Sequence, residues 1–149
     1  MATREFITHS AEETVALGRR LVEALAPPKL VVLRGDLGAG KTTLVKGIAE
    51  AFGLAGQDEI TSPTFTLVHE YHGKKVDLYH IDLYRIDTLR ELETLGIDDL
   101  MGDSSLLLVE WGEKFRRFEQ ERDLEISIAR LSENARRILV ETAAADAVG

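Results

Sequence analysis

Two segments of the chain are apolar at every position, and they anchor the reading of the rest. Leu30-Val31-Val32-Leu33 follows Pro27-Pro28 and precedes a glycine cluster, and Leu106-Leu107-Leu108-Val109 stands alone further on. Runs this short, bounded by breakers and without alternation, read as strands buried on both faces, the signature of a parallel sheet core. Leu124–Ala129 and Arg137–Glu141 instead alternate apolar and polar residues, so they read as half-exposed antiparallel strands. Arg4–Thr8 reads as a short strand, and Thr64–Tyr71 and Lys75–Ile81 read as a hairpin turning at His72-Gly73-Lys74.

Helical spacing fills the gaps. Leu17, Leu21, Val22 and Leu25 form one stripe that stops before Pro27. Ser10 and Glu13 ahead of it have the spacing of a capping box, in which each side chain satisfies an orphan N–H. Lys41 to Phe52 carries Leu44, Val45, Ile48 and Ala49 on one face, with Gly53 placed to end the helix. Leu89–Leu95 reads as a short helix ended by Gly96, and the charged Lys114–Arg122 as either helix or loop. The sum is an α/β layer fold: a mixed sheet with a parallel core and antiparallel edges, flanked by helices. One domain over residues 1–149 is expected, with Thr142–Gly149 as a frayed tail.

Composition narrows the chemistry. The absence of cysteine excludes a disulfide framework, a thiolate zinc site and a cysteine nucleophile. No apolar run approaches the roughly 18 residues of a membrane span, so no membrane partner is expected. Met1–Ser10 has no continuous apolar stretch, so no secretory signal is read and a cytoplasmic location is expected. The 18 basic residues against 26 acidic ones, a net charge of −8, argue against a dominant nucleic-acid surface but leave room for a local basic patch.

The strongest chemical signal is Gly35-Asp36-Leu37-Gly38-Ala39-Gly40-Lys41-Thr42, which satisfies G-x-x-x-x-G-K-[ST]. A phosphate chain needs several N–H donors turned into one concavity, and the glycines permit a backbone path that a Cβ would obstruct. The helix that follows adds free N–H groups and the positive end of its dipole. Gly38, Ala39, Gly40, Lys41, Thr42 and Thr43 are therefore the expected nucleotide-binding residues. Lys41 reaches the β- and γ-phosphates in this reading, and the Thr42 hydroxyl binds Mg²⁺.

Such a loop needs a carboxylate at the end of an apolar strand to complete the metal shell. Glu110 stands there, and the metal role is favoured over the alternative of a first exposed residue after the strand. Asp82, in His80-Ile81-Asp82-Leu83-Tyr84-Arg85, either orients water or Mg²⁺ or belongs to a surface turn. Asp36 is a base or a solvated loop carboxylate. Thr64, in Ser62-Pro63-Thr64-Phe65, either senses a γ-phosphate or follows a structural turn at Pro63. The four histidines show no compact metal-ligand spacing and read as structural or surface residues. Trp111 is a half-buried anchor or a partner contact.

Taken in order, the phosphate loop with Thr43, Ser62-Pro63-Thr64-Phe65-Thr66-Leu67-Val68, His80-Ile81-Asp82-Leu83-Tyr84-Arg85, Glu91-Leu92 with Leu95-Gly96, and Glu110-Trp111 closely resemble the TsaE (YjeE) family of bacterial P-loop ATPases. The resemblance runs from about Ser10 to Glu141. It implies an ATP hydrolase that supports synthesis of N6-threonylcarbamoyladenosine beside the anticodon of tRNAs reading codons that begin with A. It implies TsaB and TsaD as partners, with tRNA met only through their assembly. It also implies Lys41 as the phosphate lysine, Thr42 and Glu110 as Mg²⁺ ligands, Asp82 as the acidic residue needed for hydrolysis, and Thr64 in a switch-like segment.

The chain departs from the family where Gly112 replaces a proline after Glu110-Trp111, and where Ala135-Arg136 replaces Gly-Arg between the last strands. Arg136 is carried over as a nucleotide contact on that weaker match. Two rival readings stand beside the ATPase. One is a small-molecule kinase, for which Arg116, Arg117 and Arg122 form the only lid-like cluster. The other is a nucleotide-gated scaffold. The lack of an N-K-x-D segment disfavours a GTPase.

Overall fold

The wholly apolar runs become the two central strands of one sheet. A computed structural model describes residues 2–36, 38–54 and 67–142, and elements are numbered among them in chain order. β2 (Lys29–Arg34) and β5 (Ser105–Glu110) lie side by side and parallel, with Leu30 opposite Leu107 and Leu33 opposite Glu110. β4 (Asp77–Asp82) joins β5 in parallel, and β6 (Leu124–Arg130) joins β2 in parallel. The antiparallel strands flank them: β3 (Val68–His72) on β4, β7 (Arg136–Thr142) on β6, and β1 (Ala2–Thr8) on β7. The order is β1-β7-β6-β2-β5-β4-β3, a parallel core with antiparallel edges as the residue pattern predicts.

Each central strand feeds two cores because its side chains alternate between faces. Val31, Leu33, Leu78, Leu106, Leu108 and Ile126 face α1 (Ala11–Arg20) and α2 (Lys41–Ala51). Leu30, Val32, Tyr79, Ile81, Leu107 and Val109 face the other way, toward α3 (Leu89–Thr94), α4 (Ile97–Leu100) and the Phe115 and Phe118 rings around α5 (Arg116–Glu121). Within Lys114–Arg122, open in the sequence between helix and loop, Arg116–Glu121 is helical and buries Phe118, while Phe115 is extended just ahead of it and is buried as well. α1 and α2 cross at a glycine pair. A Cβ on Gly47 would stand 2.0 Å from the Val15 carbonyl oxygen, and one on Gly18 2.5 Å from that of Leu44.

Several boundaries shift. Ser10 caps α1 by accepting from the Glu13 N–H, but the Glu13 carboxylate returns to the His9 N–H, so the reciprocal box is incomplete. A complete one sits instead at Thr88 and Glu91, at the start of α3. The hairpin strands end at His72 and resume at Asp77, so its turn is longer than His72-Gly73-Lys74. Its first arm is described from Val68, and Thr64–Thr66 lie outside the described residues. Thr142 belongs to β7 rather than to a tail, and the rest of that tail is outside the described residues. Among the described residues no helix is long and apolar enough to cross a membrane.

Candidate functional site

The site forms where β2 runs into α2. Leaving β2, the backbone adopts positive φ at Gly38 (+81°) and Gly40 (+109°), values that a side chain strains against. Among the described residues, Leu44 is the first of α2 whose N–H finds an acceptor in this turn, at the Gly40 carbonyl. The N–H groups of Lys41, Thr42 and Thr43 precede it at the helix start, where no intrahelical acceptor exists. They supply the donors that an anion requires at the positive end of the dipole.

Lys41 does not extend into solvent. Its Nζ donates to the Gly35 carbonyl at 2.5 Å and sits 3.0 Å from Oε1 of Glu110. Glu110 ends β5, faces the α2 side with Leu106 and Leu108, and is 3% exposed. The alternative that it is a first exposed residue after the strand is therefore overturned. Nε2 of His80, itself fully buried on β4, donates to Oε2 of Glu110 at 2.5 Å. Burial alone pushes the Glu110 carboxyl up, but His80 and then Lys41 outweigh it and hold the group below the usual carboxylate range. Glu110 is thus an ionised buried carboxylate with one donor on each oxygen.

Asp82 ends β4 directly opposite Glu110 in the parallel register. It is buried, which overturns the surface-turn alternative, and its Oδ1 accepts the Tyr84 N–H at 2.8 Å. Trp111 follows Glu110 with φ +64°, a left-handed conformation uncommon outside glycine. The ring is half-buried, 5.3 Å from that of Tyr84 and 5.9 Å from the Lys41 ammonium. Arg136 opens β7 and clasps the loop from the opposite side: its Nε donates to the Ala39 carbonyl at 2.7 Å, and its Nη1 to the carbonyls of Ser132, Glu133 and Ala135.

A cavity of about 450 Å³ collects these groups, within the range of small-molecule sites. Of the expected residues, Gly38, Gly40, Lys41, Thr42, Thr43, Asp82, Glu110 and Arg136 line it. Ala39 is buried beneath and contributes its carbonyl to Arg136. Thr64 lies outside the described residues. Tyr84 and Trp111 line the cavity as well. The residue pattern gives Tyr84 no role and reads His80 only as structural or surface, although both lie within two residues of Asp82. The Thr42 hydroxyl and the Glu110 carboxylate are oxygen donors suited to a hard divalent cation such as Mg²⁺, and the space left open at Gly38 among the described residues suits a phosphate chain. The kinase-lid arginines lie elsewhere. Arg117 pairs with Asp98 and Glu121, Arg122 with Glu119 and Glu125, and none of the cluster lines the cavity.

A parallel sheet core, a glycine-rich loop running into a helix, and two acidic strand ends beside it define the P-loop NTPase fold. A family model described as threonylcarbamoyl adenosine biosynthesis protein TsaE matches residues 8–138. The chain is 39% identical over 134 residues to the tRNA threonylcarbamoyladenosine biosynthesis protein TsaE of Treponema pallidum, covering 90% of this chain and 97% of that protein. It is 37% identical over 137 residues to the protein of the same name from Aquifex aeolicus, covering 92% and 95%. The crystal structure of YdiB from Bacillus subtilis superposes with a TM-score of 0.71 at 34% identity, covering 94% of this chain and 85% of that one. The chain belongs to the TsaE family.

Proposed function

We propose that the chain is an ATP hydrolase of tRNA threonylcarbamoyladenosine biosynthesis, built as one domain and acting in the cytoplasm on a TsaB–TsaD assembly. The observation that carries the hydrolase reading is the convergence of Lys41, Thr42, Asp82 and Glu110 on one cavity. The pathway follows from the names of the relatives. The net charge of −8 favours action on tRNA through partner proteins rather than by direct contact.

The chain's own groups divide the work. The N–H groups at the start of α2 and the Lys41 ammonium bind the phosphates of ATP, and Lys41 exchanges Glu110 for phosphate as its counter-charge. Thr42 and Glu110 would hold Mg²⁺, which when bound neutralises developing phosphate charge. Asp82, fixed through one oxygen by the Tyr84 N–H, orients the attacking water. Arg136 holds the loop at the Ala39 carbonyl and faces the nucleotide. The small cavity leaves the tRNA chemistry to the partners.

The test compares ATP turnover by the chain alone, with TsaB–TsaD, and with TsaB–TsaD plus tRNA. Turnover rises with the assembly, and repeated cycles of tRNA modification require the chain. Lys41→Ala abolishes both nucleotide binding and that support. An assembly that neither binds the chain nor needs it for repeated cycles overturns the reading.

A further inference from the structure

We propose that His80 is a positioning residue for the metal-binding carboxylate: its Nε2–H pins Oε2 of Glu110, so that Oε1 alone is presented to a cation. The proposal rests on the reading of Glu110 as a Mg²⁺ ligand.

The two oxygens of Glu110 have different partners. Oε2 takes the His80 N–H at 2.5 Å, and Oε1 faces the Lys41 ammonium at 3.0 Å. When Lys41 turns to phosphate, Oε1 loses its partner while Oε2 keeps His80. A carboxylate held by one oxygen cannot swing away or bind a cation through both, so the imidazole fixes both its orientation and its mode of binding.

His80 does not line the cavity, so it acts through Glu110 and not on the nucleotide. Packing alone gives no reason for a histidine at this position. Leu78, Leu106 and Leu108 surround that face of the sheet, and the Nδ1 of His80 is buried with no hydrogen-bond partner among the described residues. An unpaired buried nitrogen is a cost that an aliphatic side chain would avoid. What an aliphatic side chain could not supply is the donor to Glu110.

The strand register explains the spacing. Asp82 lies opposite Glu110 and His80 opposite Leu108, so His80 reaches diagonally to Glu110 from one pair further in. Residues two apart on a strand share a face. The interval between His80 and Asp82 therefore places one side chain beneath Glu110 and the other beside it at the cavity.

The experiment measures ADP binding by calorimetry, without metal and across a Mg²⁺ series, for the full chain and four variants. Glu110→Gln raises the Mg²⁺ concentration for half-effect and leaves metal-free ADP binding in place. His80→Leu does the same by about 10-fold or more, the range for groups that orient metal ligands. His80→Gln, whose amide nitrogen replaces Nε2, returns toward the parent value, whereas His80→Asn, whose amide sits nearer Nδ1, does not. Should His80→Leu not fold in a thermal melt, the Gln and Asn pair decides. Unchanged Mg²⁺ dependence in folded His80→Leu, or equal behaviour of Gln and Asn, overturns the proposal while leaving Glu110 as a ligand. Unchanged Mg²⁺ dependence in Glu110→Gln removes the metal reading itself, and the role of His80 with it.

Discussion

Gly47→Ala adds a single methyl group, 2.0 Å from the Val15 carbonyl oxygen where ordinary contact begins at 3.4 Å. The shortfall of about 1.4 Å falls on backbone rather than on a flexible side-chain end, so α1 and α2 must separate. Overpacking of this kind costs about 1–3 kcal/mol, and backbone contact places it near the upper end. Against it stands a gain of about 1 kcal/mol from replacing glycine by alanine in a helix. The expected net loss is about 2 kcal/mol, a fall in Tm of roughly 4–8 °C for a chain of this size. The effect reaches the site because Lys41 stands on the same helix, six residues earlier and about 9 Å along the axis. A misplacement of about 1 Å costs on the order of 100-fold in rate, so ATP turnover falls with stability. Thermal melts and turnover assays run on Gly47→Ala beside Gly53→Ala separate the causes. Gly53 has φ +68° and, among the described residues, nothing near its missing Cβ, so its alanine variant loses about 1 kcal/mol of stability and keeps its turnover. A Gly47→Ala protein that melts at or above the parent would show that the helix crossing yields freely, and the reasoning would fail.

Two further outcomes are expected. Asp82→Asn retains ATP binding by calorimetry and loses hydrolysis; normal turnover would remove Asp82 from the chemistry and leave the fixed Tyr84 N–H as its main task. Glu125, buried on β6, is pushed up by burial, only partly offset by Arg34 and Arg122, with Glu119 and Glu141 adding repulsion. Its fold-derived stability is complete below the unfolded carboxylate value of about 4.3 and is lost as pH rises through the raised folded value. Glu125→Gln therefore raises resistance to urea at pH 7, with a gain that shrinks at pH 4. A loss at pH 7 would mean that the arginine pairs outweigh burial.

The sequence is most readable where structure is local. Leu30–Leu33 and Leu106–Val109 read as buried parallel strands because both faces of each must be apolar, and they are neighbours in the sheet. The phosphate loop is a continuous segment whose conformation its glycines permit. Glu110 is legible from its place at the end of an apolar strand. Pairing between distant segments is not legible in this way. Nothing near Arg4 says that it lies opposite Val140, and nothing near Ala39 says that Arg136 will hold its carbonyl. His80 looks structural until the register of β4 on β5 sets it against Glu110, thirty residues on. The crossing at Gly18 and Gly47 is hidden because a glycine inside a helix reads locally only as a weakness. The cap at Ser10 shows the limit even of local motifs: the spacing is right, but Glu13 answers a different N–H.

Trp111 is the chain's single tryptophan, and it stands between Tyr84 and the Lys41 ammonium at the mouth of the phosphate site. Indole emission from the whole protein is therefore emission from this one place. The Lys41 ammonium lies 5.9 Å from the ring centre, so phosphate that draws it aside, as the proposed function requires, would change the charge beside the indole and with it the emission. On the proposed function the protein carries its own optical reporter, which would register the lysine's movement from carboxylate to phosphate without dye, label or mutation.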